Sequence, residues 1–96
     1  MATLKLKKPI MIDGEERTEI EYDLEALTGN DIQQATKELN KSGIMVTTIE
    51  LDSNYHAALF AKSADLMFED MNRLSAKDYA KATTLVRDFF LTDLAD

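Results

Sequence analysis

The chain has 96 residues, with 18 acidic side chains against 11 basic ones, a formal net charge of −7, one His, no Cys and no Trp. That length suits one domain with a modest core, and an apolar content of 45% is globular in character. Without Cys there is no disulfide framework, thiolate metal site or Cys nucleophile, and the acidic balance argues against a binder of phosphate backbones, which needs clustered Lys and Arg.

Residues 3–12 and 16–24 read as two strands. Leu4, Leu6, Ile10 and Ile12 share one parity while Lys5, Lys7 and Met11 share the other. Thr18, Ile20, Tyr22 and Leu24 alternate with Glu19, Glu21, Asp23 and Glu25. Period-two patterning of this kind marks half-buried strands, and Asp13-Gly14 between them is a hairpin signal. Pairing Ile12 with Glu16 sets Leu6 opposite Tyr22, Leu4 opposite Leu24, Lys7 opposite Glu21 and Lys5 opposite Asp23. One face then becomes apolar and the other a charge ladder. A one-residue slip would set Leu against Glu. This register needs a three-residue loop or a bulge beside Gly14. Pro9, with no amide to donate, makes the first strand an edge or bends it.

A helix is expected from about Asp31 to Ser42. Thr28-Gly29-Asn30-Asp31 fits a capping box, Ile32, Ala35 and Leu39 form its buried stripe, and Gly43 is placed for a left-handed C-cap. Residues 44–51 are apolar and β-branched, either a third strand or an extended connector. A second helix starts at Asp52 or Ser53 and runs to about Ala64, with Tyr55, Ala58 and Leu59 inward, Leu66 continuing that face and Ala61 beside it. Residues 67–74 read as a short helical turn with Phe68, Met71 and Leu74 inward. Ser75-Ala76-Lys77-Asp78 is a further capping box. It opens a last helix to about Leu91 with Tyr79, Ala82, Val86, Phe89 and Phe90 on one stripe.

Enzymatic chemistry finds little support. His56 is the sole imidazole, and its neighbours Ser53 and Asp52 are sequential, whereas triads are assembled in space with an oxyanion hole. A surface or helix-start His is the better reading. No glycine pair cradles a phosphate, no carboxylate spacing matches a calcium loop, and neither a catalytic residue, a cofactor nor a metal is expected. The carboxylates of Glu19, Glu21 and Asp23 read as a solvated face paired to Lys5 and Lys7. Met67 and Met71, four apart and flanked by Phe68, serve either as core filling or as an adaptable docking face. The stripe of Val86, Phe89 and Phe90 poses the same choice. No apolar run spans a bilayer and no signal-peptide h-region opens the chain, so a soluble protein of the compartment where it is made is expected.

The order of segments carries a resemblance. Leu4-Lys5-Leu6-Lys7-Lys8-Pro9-Ile10 precedes Asp13-Gly14 and an acidic alternating strand, and Leu27-Thr28-Gly29-Asn30-Asp31-Ile32 opens a helix. Tyr55-His56-Ala57-Ala58-Leu59, Ala61-Lys62-Ser63-Ala64 and Leu74-Ser75-Ala76-Lys77-Asp78-Tyr79 follow, leading to Val86-Arg87-Asp88-Phe89-Phe90-Leu91. Over almost its whole length the chain resembles the tail assembly chaperone family of long-tailed bacteriophages and prophages. The resemblance implies a non-enzymatic protein that binds the long, helical, aggregation-prone tape measure protein and helps recruit tail tube subunits. It would act in the host bacterial cytoplasm and be absent from the finished virion. Many members are also made as a longer, frameshifted product. The family's Leu-Thr-Gly-x-Asp segment maps to Leu27, Thr28, Gly29 and Asp31, residues with a capping role.

The expected fold is therefore α+β: an N-terminal β-hairpin, with a third short strand as an option, packed against about three α-helices in one domain over residues 1–96. The hairpin face Leu4, Leu6, Ile20, Tyr22 and Leu24 should cover the helix stripes. Candidate partner-binding residues are Met67, Phe68, Met71, Val86, Phe89 and Phe90. Candidate capping residues are Thr28, Gly29, Asp31, Gly43, Ser75 and Asp78. The expected partners are the tape measure and tube proteins, with self-association an option and neither nucleic acid nor membrane. The alternative reading is a small acidic regulator or decoy that docks a basic nucleic-acid-binding protein through Glu15, Glu16, Glu19, Glu21, Asp23 and Glu25.

Overall fold

The computed structural model describes residues 2–45 and 52–93. Along them run β1 (Ala2–Ile12), β2 (Glu15–Tyr22), a 3-10 turn (Leu24–Ala26), α1 (Gly29–Lys41), α2 (Ser53–Ser63), α3 (Phe68–Met71) and α4 (Ala76–Asp93). This is the expected α+β architecture of an N-terminal antiparallel hairpin and helices in one small domain. The expectation of a third strand falls mainly on residues 46–51, which lie outside the described residues; Ile44 and Met45 are not in a strand.

The register differs from the expected one. Ile12 pairs with Glu15, Met11 with Glu16 and Ile10 with Arg17, while beyond an irregularity Lys5 pairs with Glu19, Leu4 with Ile20, Thr3 with Glu21 and Ala2 with Tyr22. Asp13 and Gly14 both take positive φ, 51° and 81°, the conformation of a tight two-residue turn whose twist matches that of the strands. A strict two-residue turn sets Ile12, Ile10 and Leu6 against Glu15, Arg17 and Glu21. The chain corrects this farther along: Leu6, Lys7, Lys8 and Pro9 stand opposite the single residue Thr18. Three surplus residues, an odd number, flip the parity, and Leu4 and Ile20 then meet on the buried face. The correction falls where Pro9 has no ladder hydrogen bond to lose. Of the lysines in β1, only Lys5, opposite Glu19, has an acidic cross-strand partner. The expected pairings of Lys5 with Asp23 and of Lys7 with Glu21 do not form.

The bulge exposes backbone donors that need partners. The Lys7 amide donates to both Asp78 carboxylate oxygens at 3.0 Å and the Lys8 amide to Oδ2 at 3.2 Å. Asp78 is the third residue of α4, and its own N–H donates to Ser75 Oγ at 3.2 Å. The expected Ser75–Asp78 box is thus half formed, and the carboxylate that would close it ties β1 to α4. Burial alone would push the Asp78 carboxyl up. The amides of Lys7 and Lys8, the Ser75 hydroxyl and the charge of Lys81 outweigh that and hold it below its ordinary value of 3.8.

The remaining caps follow the sequence closely. Thr28 Oγ1 accepts from the Asp31 amide at 3.4 Å and Asp31 Oδ2 accepts from the Thr28 amide at 2.9 Å, a complete capping box with Gly29 as first helical residue. At the other end of α1, the Ile44 amide reaches the Leu39 carbonyl at 2.9 Å and the Gly43 amide reaches Asn40 at 3.0 Å. Gly43 has φ +82°, as a Schellman cap requires. Asp52 Oδ1 caps α2, accepting from the amides of Asn54 (2.9 Å) and Tyr55 (3.2 Å). Its far end repeats the Schellman pattern, with the Leu66 amide on the Ala61 carbonyl at 2.8 Å, but Asp65 occupies the left-handed position at φ 56°. A side chain there is strained relative to glycine. Asp65→Gly is therefore expected to raise stability by about 0.5 kcal/mol, seen as a higher urea midpoint at unchanged slope.

The core joins Leu4, Ile10, Ile12, Ile20 and Tyr22 of the hairpin to Ala35 and Leu39 of α1 and to Ala82 and Val86 of α4. Leu6 and Leu24 pack at its margin, Leu24 from the 3-10 turn and not from a longer β2. At the centre lies α2, which contacts α1, α3 and α4. Every residue from Tyr55 to Ala61 is buried, as expected of a helix covered on all sides. His56 stands in the first turn of α2, as expected, but at 2% exposed it belongs to the interior and not to the surface.

Candidate functional site

The C-terminal half of α1, the middle of α2 and the segment leading into α3 frame an open cleft of about 370 Å³. Ala58 and Ala61 of α2 and Leu66 form its floor, Met67 and Phe68 one wall, and Glu38, Lys41 and Ser42 another. Small residues on α2 are what let the floor sink between the walls. Lys62 Nζ meets Glu38 Oε1 at 3.2 Å across the rim. Carboxylates and ammonium groups both border the opening, so it favours neither sign of charge strongly.

The wall carrying Met67 is fixed from behind. The Met67 amide donates to Asp70 Oδ2 at 2.9 Å, Asp70 Oδ1 pairs with Arg73 Nη2 at 3.1 Å, and Arg73 Nη1 donates to the Met11 carbonyl at 2.6 Å. This relay anchors α3 to β1 near the hairpin turn. Met67 itself is extended, at φ −87° and ψ 153°, and its side chain is 68% exposed. A flexible thioether thus projects from a fixed backbone, a combination suited to apolar partners of varied shape.

The candidate partner-binding residues divide between surface and interior. Met67 is exposed and Phe68 half-buried, and both line the cleft. Met71 is fully enclosed in the core. The spacing of four that suggested one shared face assumes a continuous helix, and Met67 precedes α3 as its cap. Val86 is also wholly buried. Phe89 and Phe90 are half-buried and meet edge to face with centroids 5.5 Å apart. Phe89 borders a separate shallow depression of about 220 Å³ with Ala2, Tyr22 and Leu24, so the structure does not join it to Met67 and Phe68. The acidic strip is solvent-facing at Glu15, Glu16, Glu19, Glu21 and Glu25, with Asp23 half-buried. The Asp23 amide donates to the Ser63 carbonyl at 3.0 Å.

Two contributors escaped the sequence. Arg73 carried no pattern of its own. Asp78 read as an ordinary cap, although the adjacent signals of Pro9 and two preceding lysine amides implied an irregular strand with donors to satisfy. Among the described residues no three His, Cys, Asp or Glu groups converge as metal ligands, and no helix is long and apolar enough to cross a membrane. The model of one protein family, phage tail assembly chaperone proteins, E, or 41 or 14, matches residues 3–91. No curated protein and no solved structure matches the chain.

Proposed function

Because the chain belongs to this family of phage tail assembly chaperones, we propose that it binds the tape measure protein through the cleft between α1, α2 and α3. It keeps that client soluble in the host cytoplasm and helps present it to tail tube subunits, and it leaves before the virion is complete. The observation that carries the reading is the family match over residues 3–91, and the cleft with exposed Met67 supports the choice of surface. A helix laid into the cleft would set its apolar face on Ala58, Ala61, Leu66 and Phe68, the helix-in-groove mode of recognition. Mixed charges at the rim and one flexible anchor favour moderate, releasable affinity over tight binding. The net charge of −7 opposes association of loaded chaperones with one another. The role needs no catalysis.

Met67→Glu tests the site. The side chain is mostly in solvent, so stability should change by no more than about 0.5 kcal/mol. Apparent affinity for the tape measure protein should fall about tenfold, measured by interferometry on immobilised client. Unchanged affinity would place the binding surface elsewhere.

A further inference from the structure

On the face of α4 nearest the bulge, Lys7, Lys77 and Lys81 rim a shallow concavity of about 430 Å³ lined by Ala80, Thr84 and Leu85, and no acidic side chain lines it. Lys8, whose amide shares the Asp78 carboxylate, adjoins them in the chain. Three of the eleven basic residues of a protein with net charge −7 thus rim this concavity. The Asp78 carboxylate three residues earlier attracts Lys81, but helix stability does not explain the cluster as a whole. Lys77 and Lys81 stand four apart on α4, where like charges repel, and Lys77 lies in its first turn, where the helix dipole disfavours cations. The scaffold beneath is also fixed with care. The buried Asp78 carboxylate holds the Lys7 and Lys8 backbone against α4, which sets the position of one rim lysine relative to the other two. The contact satisfies the bulge amides, and in doing so it also preorganises the lysine rim for an anionic partner.

We propose that this face docks an acidic amphipathic segment of a partner protein. Its carboxylates pair with Lys7, Lys77 and Lys81, and an apolar side chain rests on Ala80 and Leu85. Charge complementarity selects the occupant: three ammonium groups around an apolar floor, answered from below only by the buried Asp78 carboxylate, match alternating Glu and Leu on one peptide face. The surface shares no residue with the cleft that holds Met67, so a client and a second tail component can bind together.

The test titrates the isotopically labelled full chain with a synthetic helical peptide carrying Glu and Leu at three- and four-residue spacing, and with the same peptide bearing Gln for Glu. The Glu peptide should shift the amide resonances of Lys7, Lys77, Ala80, Lys81 and Leu85. Its affinity should fall about tenfold in a Lys77→Glu, Lys81→Glu double variant, fall less in Lys7→Gln, and stay unchanged in Met67→Glu. If the double variant loses its folded spectrum, Lys7→Gln alone carries the comparison. Equal binding of the Gln peptide, shifts confined to other faces, or undiminished affinity in the lysine variants would overturn the proposal. So would tighter competition by a single-stranded oligonucleotide. Dimerisation of the free chain through this face, detected by sedimentation and abolished by the double variant, would assign the surface to a second copy instead.

Discussion

Replacing Asp78 by Ala should destabilise the fold by about 3 kcal/mol, a large share of the stability of a small domain. The side chain is 0% exposed and accepts from two backbone amides 70 and 71 residues away. Its removal leaves the Lys7 and Lys8 donors without that acceptor at a site where the bulge has taken them out of the ladder, and it loosens β1 from α4. Asp78→Asn preserves the shape and one acceptor oxygen but loses the charge, and should cost less than Ala. Because the native carboxyl titrates below its ordinary value of 3.8, its contribution is fully present above that value. It disappears as pH falls through the lower native one. Urea midpoints between pH 7 and pH 2.5 should therefore fall less steeply on acidification in Asp78→Asn than in the unaltered chain. A parallel pH dependence in the two proteins would mean that the carboxylate charge does not stabilise the native state.

Phe60→Ala should have the largest effect in the core, about 4 kcal/mol. Phe60 is 0% exposed on the central helix, and its ring lies 5.1 Å from that of Tyr22 at an interplanar angle of 44°. It joins α2 to the hairpin, and the hairpin has no third strand among the described residues to support it. An isolated two-stranded hairpin is marginal in water, so a cavity at this contact should free β1 and β2 along with weakening α2. Phe60→Leu keeps most of the volume and should cost about 1–1.5 kcal/mol. Amide exchange offers the sharper reading: Phe60→Ala should lower protection in Leu4 and Ile20 as much as in α2. Selective loss in α2 alone would show that the hairpin is held by other contacts, Asp78 first among them.

What the sequence revealed depended on how local the signal was. The Thr28–Asp31 box, the Gly43 cap and the Asp52 cap are each set within a few residues, and the structure forms all three. The hairpin and its buried parity were legible for the same reason. The register was not. Parity showed correctly that a two-residue turn fails to align the apolar residues, but many positions along β1 could absorb the surplus. The deciding interaction, Asp78 with the Lys7 and Lys8 amides, spans most of the chain. The same applies to His56 and Met71, whose burial comes from elements distant in sequence that surround them. Within the candidate site, Met67 and Phe68 were visible as apolar residues, though grouped with Met71, which is buried. The cleft beside them depends on how α1 and α2 cross, with small Ala58 and Ala61 at the crossing, and no local pattern encodes that.

Co-expression with a tape measure protein encoded beside this chain tests the proposed chaperone role most directly, by measuring how much of that protein stays in the soluble fraction. With the chain present, the tape measure protein should move from the pellet to the supernatant and co-purify with the chain. A tape measure protein that stays equally insoluble with and without the chain, and yields no complex, would contradict that role.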